Sequence, residues 1–142
     1  MASRRKSRIL AFQALFFWDS NKVVPIEELN KFLWLYEKKL STLDEGLAAF
    51  SRLLITGTIE NIDEVDNMIK KHLVNWDITR LNRVDLAVLR ISTYALIFNT
   101  DIPASIVIDE AICICKEFGT DDSYKFVNGV LDSIKKTISG QK

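Results

Sequence analysis

The chain has 142 residues, a length that suits one domain with its own core and no metal ion or disulfide to hold it. Hydrophobic residues make up 48% and charged residues 27%, a composition that excludes a disordered chain. The formal net charge is zero, but residues 1–26 carry five cations and one anion. Such a charge block is typical of an arm that binds a partner.

The apolar stretches of the chain are too short for a transmembrane helix, which needs about 18 apolar residues. Ile9–Trp18, behind basic residues, has the order of a secretory signal, but Gln13 interrupts it and no small-residue cleavage site follows. Cys113 and Cys115 are expected to be buried thiols of a reduced protein. We therefore expect a cytoplasmic protein with no membrane association.

The spacing of apolar residues, with the places of Pro, Gly and capping residues, predicts helices and no convincing strand. In chain order we expect six or seven helices, at about 3–19, 25–40, 47–59, 61–74, 85–98, 104–118 and 121–138. The segment 104–115 is rich in β-branched residues and is the one place where a strand competes.

Several residues mark the expected helix ends. Ser3 can cap the first helix, and Pro25 suits the first position of the second, where its missing N–H would be unpaired anyway. Asn61 followed by Glu64 fits an N-cap with a capping box. Gly119 suits a left-handed residue directly after the sixth helix.

The stretch 85–98 is apolar almost all round, which predicts a central, buried helix. Arg90 lies on this helix among apolar neighbours, and a lone buried charge is costly. We therefore expect a carboxylate partner from the segment IDEA, with Glu110 ahead of Asp109.

The sequence offers no pattern that argues for an enzyme, a metal site or a cofactor. His72 is the only histidine, so there is no histidine cluster for zinc or a catalytic dyad. Cys113 and Cys115 point about 200° apart on a helix and cannot share a metal ion there. No glycine-rich phosphate loop occurs.

The N-terminal cations, which we call the arm, are Arg4, Arg5, Lys6 and Arg8. On a helix Arg4 and Arg8 share one face, with Arg5 beside it, so the like charges repel and oppose the helix dipole. Folding gains nothing from this arrangement, whereas a polyanion would gain from the cations and from free N–H groups. An RNA-binding arm and a frayed basic terminus both remain open interpretations.

The last predicted helix, in DDSYKFVNGVLDSIKK, has an apolar stripe with Phe126 at its edge. Gly129 lies nearby, and a mid-helix glycine often marks a close approach or a notch. A half-exposed aromatic ring beside Lys125 could stack on a nucleobase, as in readers of single-stranded RNA. The alternative is that Phe126 completes the core.

Nearly the whole chain resembles the transcription antitermination factor NusB family, through the blocks RRKSRILAFQALFFW, LNRVDLAVLRISTYAL and IPASIVIDEAICICKEFGTDDSYKFVNGVLD. Residues 22–75 match only in helical pattern. The resemblance implies an all-α fold, about seven helices in two small packed bundles, with one domain over 1–142 and no catalytic activity. It also implies a bacterial protein that binds boxA RNA jointly with the NusE-type small-subunit ribosomal protein, within the RNA polymerase antitermination complex.

The resemblance also implies site residues, position by position. Seven residues match RNA-contacting positions of the family: Arg4, Arg5, Lys6, Arg8, Asp122, Lys125 and Phe126. Phe16 and Asp85 match positions that face the NusE partner, where the family commonly has a tyrosine and a longer glutamate. As a charge on an otherwise apolar helix, Asp85 is expected to face solvent or a cation of the partner.

Two other functions remain open. The first is a protein-only helical scaffold whose basic arm is incidental, which salt-dependent RNA binding would exclude. The second is an accessory domain for rRNA modification, because a similar helical domain is fused to some rRNA cytosine methyltransferases. That second function is expected to need a following cofactor-binding domain with a glycine-rich loop.

Overall fold

The structure, a computed structural model, describes residues 4–32, 44–75 and 77–140. Within these residues the regular secondary structure is helical, and we number the α-helices in chain order. They are α1 (Arg4–Ser20), α2 (Ile26–Leu29), α3 (Glu45–Glu60), α4 (Ile62–Lys71), α5 (Arg83–Phe98), α6 (Ala104–Phe118) and α7 (Ser123–Ile138), with a 3-10 turn at Ile78–Arg80. The all-α prediction is confirmed, and the segment 104–115 is helix rather than strand.

Helix α5 lies at the centre of the fold and packs against α1, α3, α4, α6 and α7. Every residue from Asp85 to Thr93 is buried, as the nearly all-apolar sequence predicted. Helices α1, α3 and α4 form one group around α5, and α6 and α7 form the other, so α5 joins the two bundles. None of the helices in the described ranges combines the length and apolar character that a membrane crossing requires.

The second helix is shorter than predicted. Pro25 is the N-cap of α2, which ends at Leu29, and Phe32 then takes a left-handed conformation with φ of 58°. Phe32 is fully buried, so core packing holds a bulky residue in a conformation that local preference disfavours. The remainder of the predicted helix 25–40 and the predicted cap Ser3 lie partly or wholly outside the described residues.

The capping box predicted at Asn61 does not form. The Asn61 side chain turns back and donates its Nδ2–H to the Gly57 carbonyl at 2.8 Å, so no side-chain bond caps α4. Helix α3 instead has a side-chain cap in Asp44, which accepts from the Leu47 N–H at 2.9 Å. Asn61 directly follows the last residue of α3, and this close helix end competes for its amide.

Arg90 has carboxylate partners, but they differ from the predicted one. Its Nε and Nη2 donate to the two carboxylate oxygens of Asp66 on α4, each at 3.0 Å, and its Nη1 donates to Asp19 on α1 at 3.2 Å. Burial lowers the pKa of Arg90, but the hydrogen bonds and charges of Asp66 and Asp19 outweigh it and raise the pKa. The expectation of Glu110 is wrong because Arg90 points toward α1 and α4, whereas Glu110 binds Arg5.

Asp66→Asn should destabilise the protein by about 3 kcal/mol, because it leaves a buried guanidinium short of a carboxylate. Urea unfolding of the variant and the parent measures this difference. The matched control is Asp132→Asn, which breaks the exposed Asp132–Lys136 pair and should cost about 0.5 kcal/mol or less. Equal losses in the two variants would contradict the role given to Asp66.

Gly119 and Gly129 have opposite surroundings, and both differ from expectation. Gly119 has φ of −94°, so it is not left-handed; a Cβ there would lie 2.6 Å from Ser123 Oγ and 2.8 Å from the Cys115 carbonyl oxygen. Gly119 therefore allows the chain to pass close to the start of α7. Gly129 is exposed and a Cβ there would meet no atom within 4 Å, so it marks no close approach.

Gly119→Ala should destabilise the protein by about 1–3 kcal/mol, since the added methyl group overlaps Ser123 and backbone. Gly129→Ala should stabilise it by about 0.5–1 kcal/mol, because alanine favours the interior of a helix. Calorimetric melting of both variants beside the parent measures the two changes. A Gly119→Ala variant that melted at or above the Tm of the parent would contradict the close contacts described for Gly119.

Candidate nucleic-acid interface

The arm is the first part of a packed helix rather than a loose terminus. Ser7 is buried between the cations of α1, and its Oγ donates to the Leu47 carbonyl at 3.0 Å. Its own carbonyl accepts from Ser51 Oγ of α3 at 2.8 Å. Two small hydroxyl residues thus let α1 and α3 approach closely, which fixes the side chains of the arm relative to the fold.

Arg4 and Arg8 lie against the same aromatic ring, as expected from their place on one helical face. The guanidinium carbon of Arg4 is 4.0 Å from the centroid of the Phe50 ring on α3, and that of Arg8 is 5.6 Å from it. A cation over an aromatic ring gains about 0.5–1 kcal/mol at an exposed site. The ring carries no net charge, so Arg4, which is exposed, remains available to an anion.

Arg5 is held differently, by a carboxylate of α6. Its Nε donates to Glu110 Oε2 at 2.9 Å and its Nη2 to Oε1 at 3.4 Å. The Arg5 side chain is 53% exposed and that of Glu110 only 18% exposed. The hydrogen bonds and charge of Glu110 raise the pKa of Arg5. The neighbouring Lys6 is exposed, and no ion pair joins it to another described residue.

Arg8 is only 7% exposed, so it does not share the surface of the other arm cations. It lines a small pocket with Phe12 and Ser92. Burial lowers the pKa of Arg8, and the charge of Glu110 acts in the opposite direction. The geometry therefore separates Arg8, the buried cation of the arm, from Arg4, Arg5 and Lys6.

The residues predicted at the start of α7 lie at the surface to different extents. Asp122 and Lys125 are exposed, whereas Phe126 is half-buried and packs against the core. Phe126 therefore contributes to the core and keeps part of its surface exposed, while its stacking on a base stays a prediction.

Lys116 of α6 is a candidate contact that the sequence did not single out. Its Nζ lies 5.0 Å from the centroid of the Tyr124 ring, and Lys125 Nζ lies 5.9 Å from the same centroid. Lys116 follows Glu110 by six residues, so it lies about 9 Å further along the helix axis and about 120° around it. Helix α6 thus runs from its contact with the arm to the start of α7, with the two residues on different faces. The sequence did not mark Lys116 as a binding residue, because the helix dipole alone explains a lysine in the last turn of a helix.

The two residues predicted to face a protein partner are not alike. Phe16 is 41% exposed on α1, one turn after Phe12, whose ring lies 5.3 Å from that of Phe118. Phe118 is itself 36% exposed. Phe12 itself is only 4% exposed, so Phe16 and Phe118 are the rings of this group that reach the surface.

Asp85, in contrast, is only 7% exposed, which corrects the expectation that it faces solvent or a cation from outside. Burial raises the pKa of Asp85, and the hydroxyl of Ser123 lowers it. Burial and the nearby Asp85 raise the pKa of the Cys115 thiol to about 12. Asp85 thus lies inside the fold beneath the start of α7. No group of three or more metal-ligating side chains occurs in the described residues.

Comparisons with known proteins show the family of this chain. The model of the NusB family matches residues 5–136. The transcription antitermination protein NusB of Treponema pallidum is 53% identical over 135 residues, which cover 94% of this chain and 93% of the relative. The structure of T. maritima NusB is 39% identical with a TM-score of 0.82, covering 95% of this chain and 92% of that one.

A structure of the antitermination factors NusB and NusE in complex with double-stranded RNA is also similar. Its matching chain is 28% identical, with a TM-score of 0.82, and the match covers 94% of this chain and 96% of that one. The family match, the identity to relatives and the shared fold all extend over nearly the whole length. The chain therefore belongs to the NusB family.

Proposed function

We propose that this chain is a non-enzymatic transcription antitermination factor that binds boxA-type single-stranded RNA together with a NusE-type ribosomal protein. Its membership of the NusB family supports the proposal, as does its similarity to a NusB bound to NusE and RNA. The observation that carries it is a pair of exposed cation clusters, Arg4 and Lys6 on the arm and Lys116 and Lys125 where α6 and α7 meet.

The RNA backbone runs from the arm along α6 toward the start of α7 in this proposal. Arg4 and Lys6 hold phosphates at one end, and Lys116 and Lys125 hold them at the other. Contacts to phosphate position an RNA but carry no sequence information. The accessible side of Phe126 adds a stacking surface for a base, worth about 1–3 kcal/mol. Asp122, exposed beside this surface, accepts hydrogen bonds from base or ribose.

Removing two arm cations, by Arg4→Gln with Lys6→Gln, should weaken all RNAs about equally, because phosphate contacts are lost. Each phosphate contact to a single strand contributes about 0.7 to the slope of log K against log salt. We therefore expect a slope shallower by about 1.4 and an affinity lower by on the order of 20-fold at 0.1 M salt. Fluorescence anisotropy with boxA-type, scrambled and duplex RNA at several salt concentrations measures both.

The matched control is Lys70→Gln with Lys71→Gln. These lysines are exposed at the end of α4, where His72 contacts Thr137 at the far end of α7 from Lys125. They should leave the affinity and slope near those of the parent. Phe126→Ala should lower affinity without changing the slope. An arm variant that bound like the parent would favour the protein-only scaffold.

The apolar surface at Phe16 is the proposed contact for the NusE-type partner. Phe16→Ala should weaken the partner by about tenfold or more, as loss of an aromatic anchor does, and should leave binding of RNA alone unchanged. Titration calorimetry with the partner protein measures the first effect. Leu53→Ala, at a 54% exposed apolar residue of α3, is the control. Equal partner affinity in the Phe16 variant and the parent would contradict this contact.

Asp85 has no place in the proposed contact, because its burial means that a substitution acts through the fold. Asp85→Lys would bury an ammonium group beside Cys115. The substitution would therefore lower the stability of the fold rather than remove a direct contact to the partner.

A further inference from the structure

The side chains that contact the cations of the arm differ in charge. Phe50, under Arg4, is an uncharged ring. Glu110, which binds Arg5 through both of its oxygens, is a carboxylate with a mostly buried side chain. The number of positive charges on the arm therefore overstates the charge that an RNA would meet.

Glu110 is set in its place by α6 rather than by the arm. It lies on a packed helix, one turn before Ile114 and directly before the buried Ala111, so its carboxylate meets α1 at a fixed position. Its charge also acts on the buried Arg8. A phosphate that approached Arg5 would meet the negative charge of Glu110 at hydrogen-bond distance from the same guanidinium, and would have to displace or share it.

We propose that Glu110 is a positioning residue that withholds Arg5 from RNA phosphates and thereby sets the effective charge of the arm. This inference rests on the proposed function, since it concerns the strength of the same RNA contact. Arg5 and Glu110 act as a neutral pair that fastens α1 to α6, while Arg4 and Lys6 bind phosphate. The negative charge of Glu117, on the same helix, also raises the pKa of Arg5.

A double-variant cycle at Arg5 and Glu110 tests this role. Glu110→Gln should tighten RNA binding by about fivefold at 0.1 M salt and steepen the salt slope by about 0.7, the contribution of one released cation. Arg5→Gln should weaken binding by about the same factor, because an unpaired carboxylate then faces the RNA. The double variant removes a neutral pair, so its affinity and slope should return to within twofold of the parent values.

The double variant distinguishes a withheld Arg5 from an Arg5 that touches RNA. If Arg5 bound a phosphate directly, the double variant would lose that contact and bind clearly more weakly than the parent, and the inference would be wrong. Urea unfolding of each variant shows whether it is folded under the conditions of the titration.

A second variant keeps the test decisive if the Glu110 variants unfold. Arg5→Lys leaves Glu110 in place and retains the charge at an exposed position, but it removes the two-pronged contact. It should bind RNA as tightly as the parent or tighter, and a fivefold loss would overturn the inference. A parent that bound no RNA would overturn the proposed function as well. A parent that bound RNA with the wrong pattern in the cycle would overturn only the role of Glu110.

Discussion

Burying the centre of α5 requires that the guanidinium of Arg90 be compensated from within the protein. Arg90 meets this requirement through two carboxylates, one on α4 and one on α1. Because a guanidinium has a rigid fork of donors, the pair with Asp66 also fixes the rotation of α4 about α5. The position of α1 then follows from Asp19, which binds Arg90 and Arg83 at the C-terminal end of that helix.

Helix α1 is therefore fixed at both ends, by polar contacts of two kinds. At one end Asp19 binds the cations of α5, and at the other Ser7 exchanges hydrogen bonds with α3. The cations of the arm lie next to Ser7 on α1, so this second contact holds them on a rigid helix. A rigid arrangement lowers the conformational entropy lost when a ligand binds. The unfavourable clustering of charge on α1 is thus maintained by packing elsewhere.

The sequence predicted well those features that depend on regular spacing. The helical class, the burial of α5 and the shared face of Arg4 and Arg8 all follow from a period of 3.6 residues and from composition. Features that depend on which helices pack together could be predicted less well from the sequence. The need of Arg90 for a carboxylate was predictable, whereas Asp66 and Asp19 could be identified only once α1 and α4 were placed beside α5. The burial of Arg8 and Asp85 likewise depends on neighbouring helices, and no local pattern distinguishes them from exposed charges.

The placement of contacts on α6 has a consequence for how this surface can change. Glu110 and Lys116 are joined by a continuous helix, so the distance and angle between them are set by helical geometry rather than by a flexible connection. One residue inserted between them would turn Lys116 by about 100° around the helix axis and carry it away from Tyr124. The surface is thus sensitive to the length of this helix even where every charged side chain is kept. Single substitutions can therefore change this surface gradually, whereas an insertion or deletion within the helix changes it abruptly.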